Sequence, residues 1–283
     1  MKIRKVGIIG CGQMGSGIAQ VCARSGYTVL VSEINRELLE KGLANIAASL
    51  DKEVRKQNIT LQEKNTILTY ISGTTSNDDF RDCDLIIEAV AEKLDLKKSI
   101  FLQLDNISAP DTVLATNTSS FPVSEIAVIT KHPERIVGLH FFNPVPVMKL
   151  VEMVKTPATS EATLKTAKEF GESLGKTVVV VQDSPGFIVN RLMTSQILNA
   201  ILLLESGIAT REDIDTAMSL GLHHPMGPLA LADLIGLDTL LTIADNIHRE
   251  SGDEQYVAPV TLKKLVAEGR LGRKTGSGFY DYK

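Results

Sequence analysis

The apolar positions of this chain alternate between two periods. Short β-rich runs at Val6–Ile9, Tyr27–Val31, Ile71–Thr75, Asp84–Val90 and Thr112–Thr116 are too short for helices and predict buried strands. Between them the apolar spacing becomes helical. Ile18, Val21 and Cys22 follow the first run; Leu38, Leu39, Leu43, Ile46 and Leu50, then Leu61, Ile67 and Leu68, recur through a long polar insert over 36–70; and Leu96–Ile107 is amphipathic. Arg135–Phe142, Met148–Val154 and Lys176–Val181 complete the strand signals, with a helix over 160–174 before the last. This alternation predicts an α/β architecture, a largely parallel sheet with helices on both faces.

The pattern changes at Asp183-Ser184-Pro185-Gly186. Ser184 can cap a helix that begins at Pro185, and Ile188, Leu192, Ile197 and Ile201 continue at helical spacing. Further helices are predicted over 211–219, 229–248 and 260–268, with no strand among them. A boundary near 184 follows.

The junction between the first strand and the first helix carries Gly10, Gly12 and Gly15 as G-x-G-x-x-G, and the second strand ends at Glu33. In this context Gly10 permits the tight turn, Gly12 lets a pyrophosphate approach the backbone, and Gly15 lets helix pack closely on strand. The helix start offers unpaired N–H groups to phosphate. Glu33 is placed to accept hydrogen bonds from the adenosine ribose and to repel a 2′-phosphate, which favours NAD over NADP; Arg36 nearby works the other way. The expected fold is therefore a Rossmann-type, mostly parallel sheet with a helical insert over 1–184, followed by a smaller all-α C-terminal domain over 185–283.

Composition narrows the function classes. A chain of 283 residues with 43% hydrophobic and 23% charged residues is long enough for two globular domains. A net charge of −4 gives no reason to expect nucleic acid or an anionic membrane surface as partner, and no apolar run approaches a membrane span. Cys11, Cys22 and Cys83 have neither disulfide nor zinc spacing and fit a reducing compartment. The basic start Met1–Lys5 and the run before Cys11 imitate a lipoprotein signal, but the run is too short for one. The expected location is the cytoplasm.

Three places at predicted strand ends can carry chemistry. A hairpin turning about Pro146 sets His140 opposite Glu152. Glu152 lies between Leu150 and Val154 on one strand face, where a buried carboxylate needs a partner. The pair is either a general base with its orienting acid, or a structural histidine with Glu152 turned to Lys149 or solvent. Ser119, in Asn117-Thr118-Ser119-Ser120, either hydrogen-bonds a reacting oxygen or caps the helix suggested by Phe121–Ala127. Asn190 either faces solvent or aims into an interdomain cleft. His132, His223, His224 and His248 lack companions at metal-ligand spacing, so no metal is expected. At this level an enzyme acting on a free hydroxy acid or sugar acid, and a non-catalytic NAD(H)-binding protein, both stay open.

Five motifs in order, Gly10-Cys-Gly-Gln-Met-Gly-Ser-Gly, Asn117-Thr-Ser-Ser, His140-Phe-Phe-Asn-Pro, Asp183-Ser-Pro-Gly-Phe-Ile-Val-Asn-Arg and Lys274-Thr-Gly-Ser-Gly-Phe-Tyr, resemble the 3-hydroxyacyl-CoA dehydrogenase family. The likeness runs end to end and is closest to the short bacterial 3-hydroxybutyryl-CoA dehydrogenases. It implies NAD-dependent oxidation of a (3S)-3-hydroxyacyl-CoA and the reverse reduction, with 3-hydroxybutyryl-CoA and acetoacetyl-CoA as the expected pair. His140 would be the acid/base, Glu152 its partner, Ser119 a ligand of the 3-oxygen and Asn190 a support for the substrate carbonyl. Cofactor contacts carry over to Gly10, Gly12, Gln13, Met14, Gly15, Glu33, Glu92, Lys97, Ser119, Asn143 and Lys274. Coenzyme A contacts carry over to Ser49 and Lys56, with Lys52 nearby, although Asp51 and Glu53 interleave there as on a solvated helix face. Glu33 stands where many relatives have Asp and reaches one methylene further. The resemblance also implies a homodimer formed through residues beyond 184.

Overall fold

The computed structural model describes residues 2–282; Met1 and Lys283, where the basic start and the second predicted domain have their outer ends, lie outside the described residues. It divides into two compact units, Met1–Asp183 and Ser184–Lys283.

The first unit is built on one sheet. Its elements run β1 (Lys5–Ile9), α1 (Gln13–Arg24), β2 (Thr28–Ser32), α2 (Arg36–Arg55), α3 (Leu61–Thr69), β3 (Ile71–Thr74), β4 (Leu85–Glu88), α4 (Leu94–Ile107) and β5 (Val113–Thr116). They continue through α5 (Val123–Ala127), β6 (Ile136–Phe141), β7 (Leu150–Lys155), α6 (Glu161–Ser173) and β8 (Thr177–Gln182). The strand order is β3-β2-β1-β4-β5-β6-β7-β8. β1 to β6 are mutually parallel, β7 returns antiparallel to β6, and β8 lies parallel to β7. The sheet reverses its order beside β1, the kind of place where open α/β sheets bind ligands beyond the strands' carboxyl ends. β1, β4 and β5 are buried almost throughout because helices cover both faces, which is why they read as continuous apolar runs.

The insert over 36–70 is two helices. Asn35 caps α2 by accepting the Leu38 N–H, and Thr60 with Glu63 forms a reciprocal capping box at the start of α3. Ile46 and Leu50 of α2 and Ile67 of α3 enter the same core as β1, β2 and α1.

The second unit comprises α7 (Val189–Glu205), α8 (Arg211–Gly221), α9 (Pro228–Ile235), α10 (Leu237–Ser251) and α11 (Val260–Ala267). Ile197, Ile201, Leu229, Leu237, Leu240, Leu262 and Phe279 form its core. Two sequence expectations are corrected here. The helix expected from Pro185 begins at Val189, because Gly186 (φ +73°) and Phe187 (φ +50°) are left-handed and Ser184 only accepts a turn hydrogen bond from Phe187 N–H. The single helix expected over 229–248 is two, broken at Gly236, whose φ of +101° no helix accommodates.

Candidate active site

The strand-to-helix junction after β1 has the shape a pyrophosphate needs. Gly10 is left-handed (φ +94°), and a Cβ on Gly15 would lie 1.8 Å from the Gly10 carbonyl oxygen, so helix and turn approach as only glycine permits. A Cβ on Gly12 would meet nothing within 4 Å. The α1 N-terminus opens at that position with no side-chain cap and no acid in its first turn, so its N–H groups and the positive end of its dipole suit an anion. Glu33 reaches back to the same loop, accepting the Cys11 N–H at 2.8 Å through Oε1 and its neighbour Ile34 N–H at 3.2 Å through Oε2. Arg36 turns to Glu40 instead, at 2.9 Å. Gln13, at the start of α1, donates to the Asn143 side-chain carbonyl at 3.1 Å, tying the glycine turn to the chain that follows β6. Met14 packs on the core beneath. Burial, with Glu33 adding, pushes the Cys11 thiol up to about 12, so it takes no part as a thiolate. The glycine turn and the uncapped helix start fit the pyrophosphate of a dinucleotide.

Three strands further along the sheet, β6 and β7 form the hairpin that sets His140 directly opposite Glu152. Paired residues of an antiparallel ladder share a face, and the imidazole Nδ1 lies 2.7 Å from Glu152 Oε2. Only 5% of His140 and none of Glu152 is exposed, so the contact operates with little solvent screening. A carboxylate can only accept, which assigns the proton to Nδ1 and the lone pair of the neutral ring to Nε2. The Phe142 ring, tilted at 53° with its centroid 4.5 Å away, packs on the imidazole. Lys176 holds the turn of this hairpin, donating to the Val145 and Met148 carbonyls at 2.6 Å each.

Ser119 leaves the end of the neighbouring strand β5, in the loop before α5. The side chain of Asn117 accepts the Phe141 N–H at 2.9 Å, fastening this loop to β6 beside His140. Ser119 is not the cap of α5. That helix starts at Val123, and the Asp183 carboxylate takes its first two N–H groups at 3.0 and 2.7 Å. Glu92 gathers the loop instead: its Oε1 accepts the Thr118 hydroxyl and the N–H groups of Ser119 and Ser120. Lys97, expected as a cofactor contact, is 1% exposed, with its ammonium 2.7 Å from Glu88 and 3.0 Å from Glu92. The glycine turn, Glu92, Ser119 and His140 thus all lie at the carboxyl ends of parallel strands of one sheet.

The remaining candidates lie at the end of α2 or in the other unit. Ser49 and Lys52 fall on one face of the last two turns of α2, and Lys56 follows as its C-cap residue. The acids that interleave with them are engaged elsewhere, Asp51 with Lys64 at 2.6 Å and Glu53 with Asn58 at 2.9 Å. In the second unit Asn190 is the second residue of α7 and buried, and Lys274 is exposed with its ammonium on the Asp238 carboxylate. Among the described residues no group of three or more His, Cys, Asp or Glu side chains could hold a metal ion, and no helix is long and apolar enough to cross a membrane.

Sequence reasoning passed over Glu88, Asn117 and Asp183. Glu88 gave a signal, an acid closing an otherwise apolar strand; the partners of the other two depend on topology alone.

Residues 5–184 match the family model of the 3-hydroxyacyl-CoA dehydrogenase NAD binding domain, and residues 186–282 match that of the 3-hydroxyacyl-CoA dehydrogenase C-terminal domain. The chain is 46% identical to a 3-hydroxybutyryl-CoA dehydrogenase of Bradyrhizobium diazoefficiens over 281 residues, covering 99% of this chain and 96% of that one. It is 46% identical to another from Clostridioides difficile over 278 residues, covering 98% and 99%. Among solved structures, the (S)-3-hydroxybutyryl-CoA dehydrogenase of Ralstonia eutropha superposes with a TM-score of 0.96 at 44% identity, with both chains covered in full.

Proposed function

The chain belongs to the 3-hydroxyacyl-CoA dehydrogenase family, and from that premise we propose that it oxidises (3S)-3-hydroxybutyryl-CoA to acetoacetyl-CoA with NAD and catalyses the reverse reduction. The observation that carries this reading is the buried 2.7 Å contact between His140 and Glu152 at the carboxyl end of β6. NAD, when bound, supplies the acceptor for the hydride that leaves C3. His140 takes the 3-hydroxyl proton on Nε2, and Glu152 stabilises the imidazolium that forms. The Ser119 hydroxyl donates to the 3-oxygen, which orients the alcohol and favours the developing carbonyl geometry. In the reduction His140 returns the proton to that oxygen.

Glu33 favours the unphosphorylated ribose, so NAD is the cofactor and NADP the poorer one. Lys52 and Lys56, whose acidic neighbours are engaged elsewhere, supply cations for the coenzyme A phosphates, with Ser49 as a hydrogen-bonding companion. Asn190 and Lys274 take the roles the family resemblance gives them, towards the substrate carbonyl and the cofactor. The chain works as a homodimer in the cytoplasm. Support for the dimer comes from the apolar side chains the second unit exposes, Leu192, Leu202, Ile208, Leu220 and Leu222 among them. Support for the compartment comes from three buried cysteines with no disulfide.

The test follows absorbance at 340 nm. NADH should be consumed with acetoacetyl-CoA, more slowly with NADPH, and not with free acetoacetate. Turnover of the free acid alone would make the chain a hydroxy-acid dehydrogenase. NADH binding without turnover of either would make it a nucleotide-binding protein. Sedimentation as a monomer at micromolar concentration would remove the dimer.

A further inference from the structure

Lys176 is a buried cation whose hydrogen bonds go to carbonyls and not to an acid. It is 8% exposed and stands just before β8. β8 runs parallel to β7, with Thr177 opposite Leu150, so Lys176 lies at the end of the sheet where the chain turns between β6 and β7. Its Nζ donates to the Val145 and Met148 carbonyls at 2.6 Å each, and the Thr177 N–H donates to the Lys149 carbonyl at 2.7 Å. Val145 and Met148 belong to opposite limbs of the loop over 142–149. Pro144 and Pro146 have no N–H with which to close it. Among the described residues its own turn bonds are those of the Val147 and Met148 N–H groups to the Pro144 carbonyl, at 2.9 and 3.0 Å. Lys176 joins the two limbs from outside.

The first limb of that loop reaches the site. Phe142 packs on the His140 ring, with centroids 4.5 Å apart, and the Asn143 side chain accepts from Gln13 at the start of α1 at 3.1 Å. Val145 seats on α1, where a Cβ added to Gly17 would come within 2.9 Å of its own Cβ. We propose that Lys176 is a positioning residue: by clasping the loop it sets Phe142 against the imidazole and the Asn143 amide beside the glycine turn. This rests on the dehydrogenase reading above, with Asn143 as a cofactor contact. Desolvation works against the ammonium and lowers its pKa, so a lysine is a costly closure for a loop that needed only stability. Its advantage is reach. A four-carbon stem carries three donors at one point, which lets a single side chain hold a carbonyl of each limb.

The experiment uses the full-length protein as wild type, Lys176→Met, Lys176→Gln, Asn143→Ala and the double variant Lys176→Met/Asn143→Ala. kcat and KM are measured for (3S)-3-hydroxybutyryl-CoA with NAD, well below every melting temperature, and the NADH Kd by fluorescence. Releasing the loop in Lys176→Met should lower kcat by about 10- to 100-fold and raise the NADH Kd by roughly threefold to tenfold, while KM for the acyl-CoA stays within about twofold. Asn143→Ala should raise the NADH Kd on its own. Adding Lys176→Met to it should raise that Kd by less than about twofold more, because both act through one amide. Lys176→Gln, too short to hold both carbonyls, should behave as Lys176→Met does, and replaces it, alone and in the double variant, should Lys176→Met fail to fold. Variants that melt earlier yet keep wild-type kcat and Kd, or that do not fold at all, make Lys176 purely structural, and the proposal falls. It falls equally if Asn143→Ala binds NADH as wild type does, or if the two losses of affinity multiply in full. The wild-type control is read first. An inactive wild type sinks the dehydrogenase reading and this inference with it, whereas an active wild type with unaffected variants sinks this inference alone.

Discussion

Replacing Glu152 by Gln tests the pairing of acid and base most sharply, because the side chain keeps its shape and loses only its charge. His140 Nδ1 and Glu152 Oε2 lie 2.7 Å apart with at most 5% of either residue exposed. At an effective dielectric of ~20, unit charges centred ~4 Å apart interact by about 4 kcal/mol. The amide of Gln can still hydrogen-bond the ring and recovers about 1–2 kcal/mol of that. What remains, roughly 2–3 kcal/mol of imidazolium stabilisation, corresponds to a fall in kcat of roughly 30- to 150-fold. The loss falls on the state in which His140 carries the extra proton, so kcat drops and binding does not. The assay is steady-state oxidation of (3S)-3-hydroxybutyryl-CoA by NAD at 340 nm, the direction in which the imidazolium forms, with NADH affinity and the melting temperature as controls. A Glu152→Gln enzyme that folds, binds NADH normally and turns over within threefold of wild type would refute the claim that Glu152 works by stabilising the charged ring.

Three further outcomes follow from the same structure. Glu33→Ala removes the carboxylate that reaches the Cys11 N–H and would repel a 2′-phosphate; the ratio of kcat/KM for NADH over NADPH should fall by about tenfold or more, and an unchanged ratio would take Glu33 out of the ribose site. Lys52→Ala/Lys56→Ala should raise KM for acetoacetyl-CoA and flatten its dependence on ionic strength, while KM for a pantetheine thioester lacking the nucleotide stays put; equal effects on both substrates would argue against phosphate contacts. Asp105 carries a pH prediction. Burial works against its ionisation, but the Lys131 N–H at 2.7 Å and Arg135 at 2.9 Å outweigh it and hold the carboxyl below the usual range. A depressed acid stabilises the fold above its unfolded value, near pH 4, and loses that contribution as pH falls through its folded value. Asp105→Asn should therefore cost about 3 kcal/mol in urea unfolding at pH 7, and the gap to wild type should close below pH 4; a constant gap would assign the loss to packing.

How much of this the sequence disclosed depended on the range of each interaction. The His140–Glu152 register was legible because an acid between Leu150 and Val154 demands a partner and the turn at Pro146 names it. The strands of the sheet were legible as runs, with ends shifted by one or two residues. Met148, for instance, belongs to the turn, where its carbonyl accepts from Lys176. Left-handed residues hid two helix boundaries. Phe187 gave no compositional warning of φ +50°, and Gly236 looked like any glycine within a helix until its φ of +101° divided α9 from α10. Contacts between distant elements were out of reach. A helix cap stayed open as one of two readings of Ser119 because nothing local shows that Asp183 caps α5 from the end of β8. Lys97 entered only through resemblance, and the pairing with Glu88 that buries it follows from where α4 lies against β4.

The central claim, that His140 is the group which exchanges a proton with the substrate oxygen, is tested most directly by a single turnover. Enzyme preloaded with NADH is mixed with excess acetoacetyl-CoA, for wild type and for His140→Gln, and the NADH absorbance is followed. The account predicts complete oxidation of bound NADH by wild type, and for His140→Gln normal NADH binding with oxidation slowed by about a thousandfold or more. A His140→Gln enzyme that oxidises its NADH at close to the wild-type rate would contradict it.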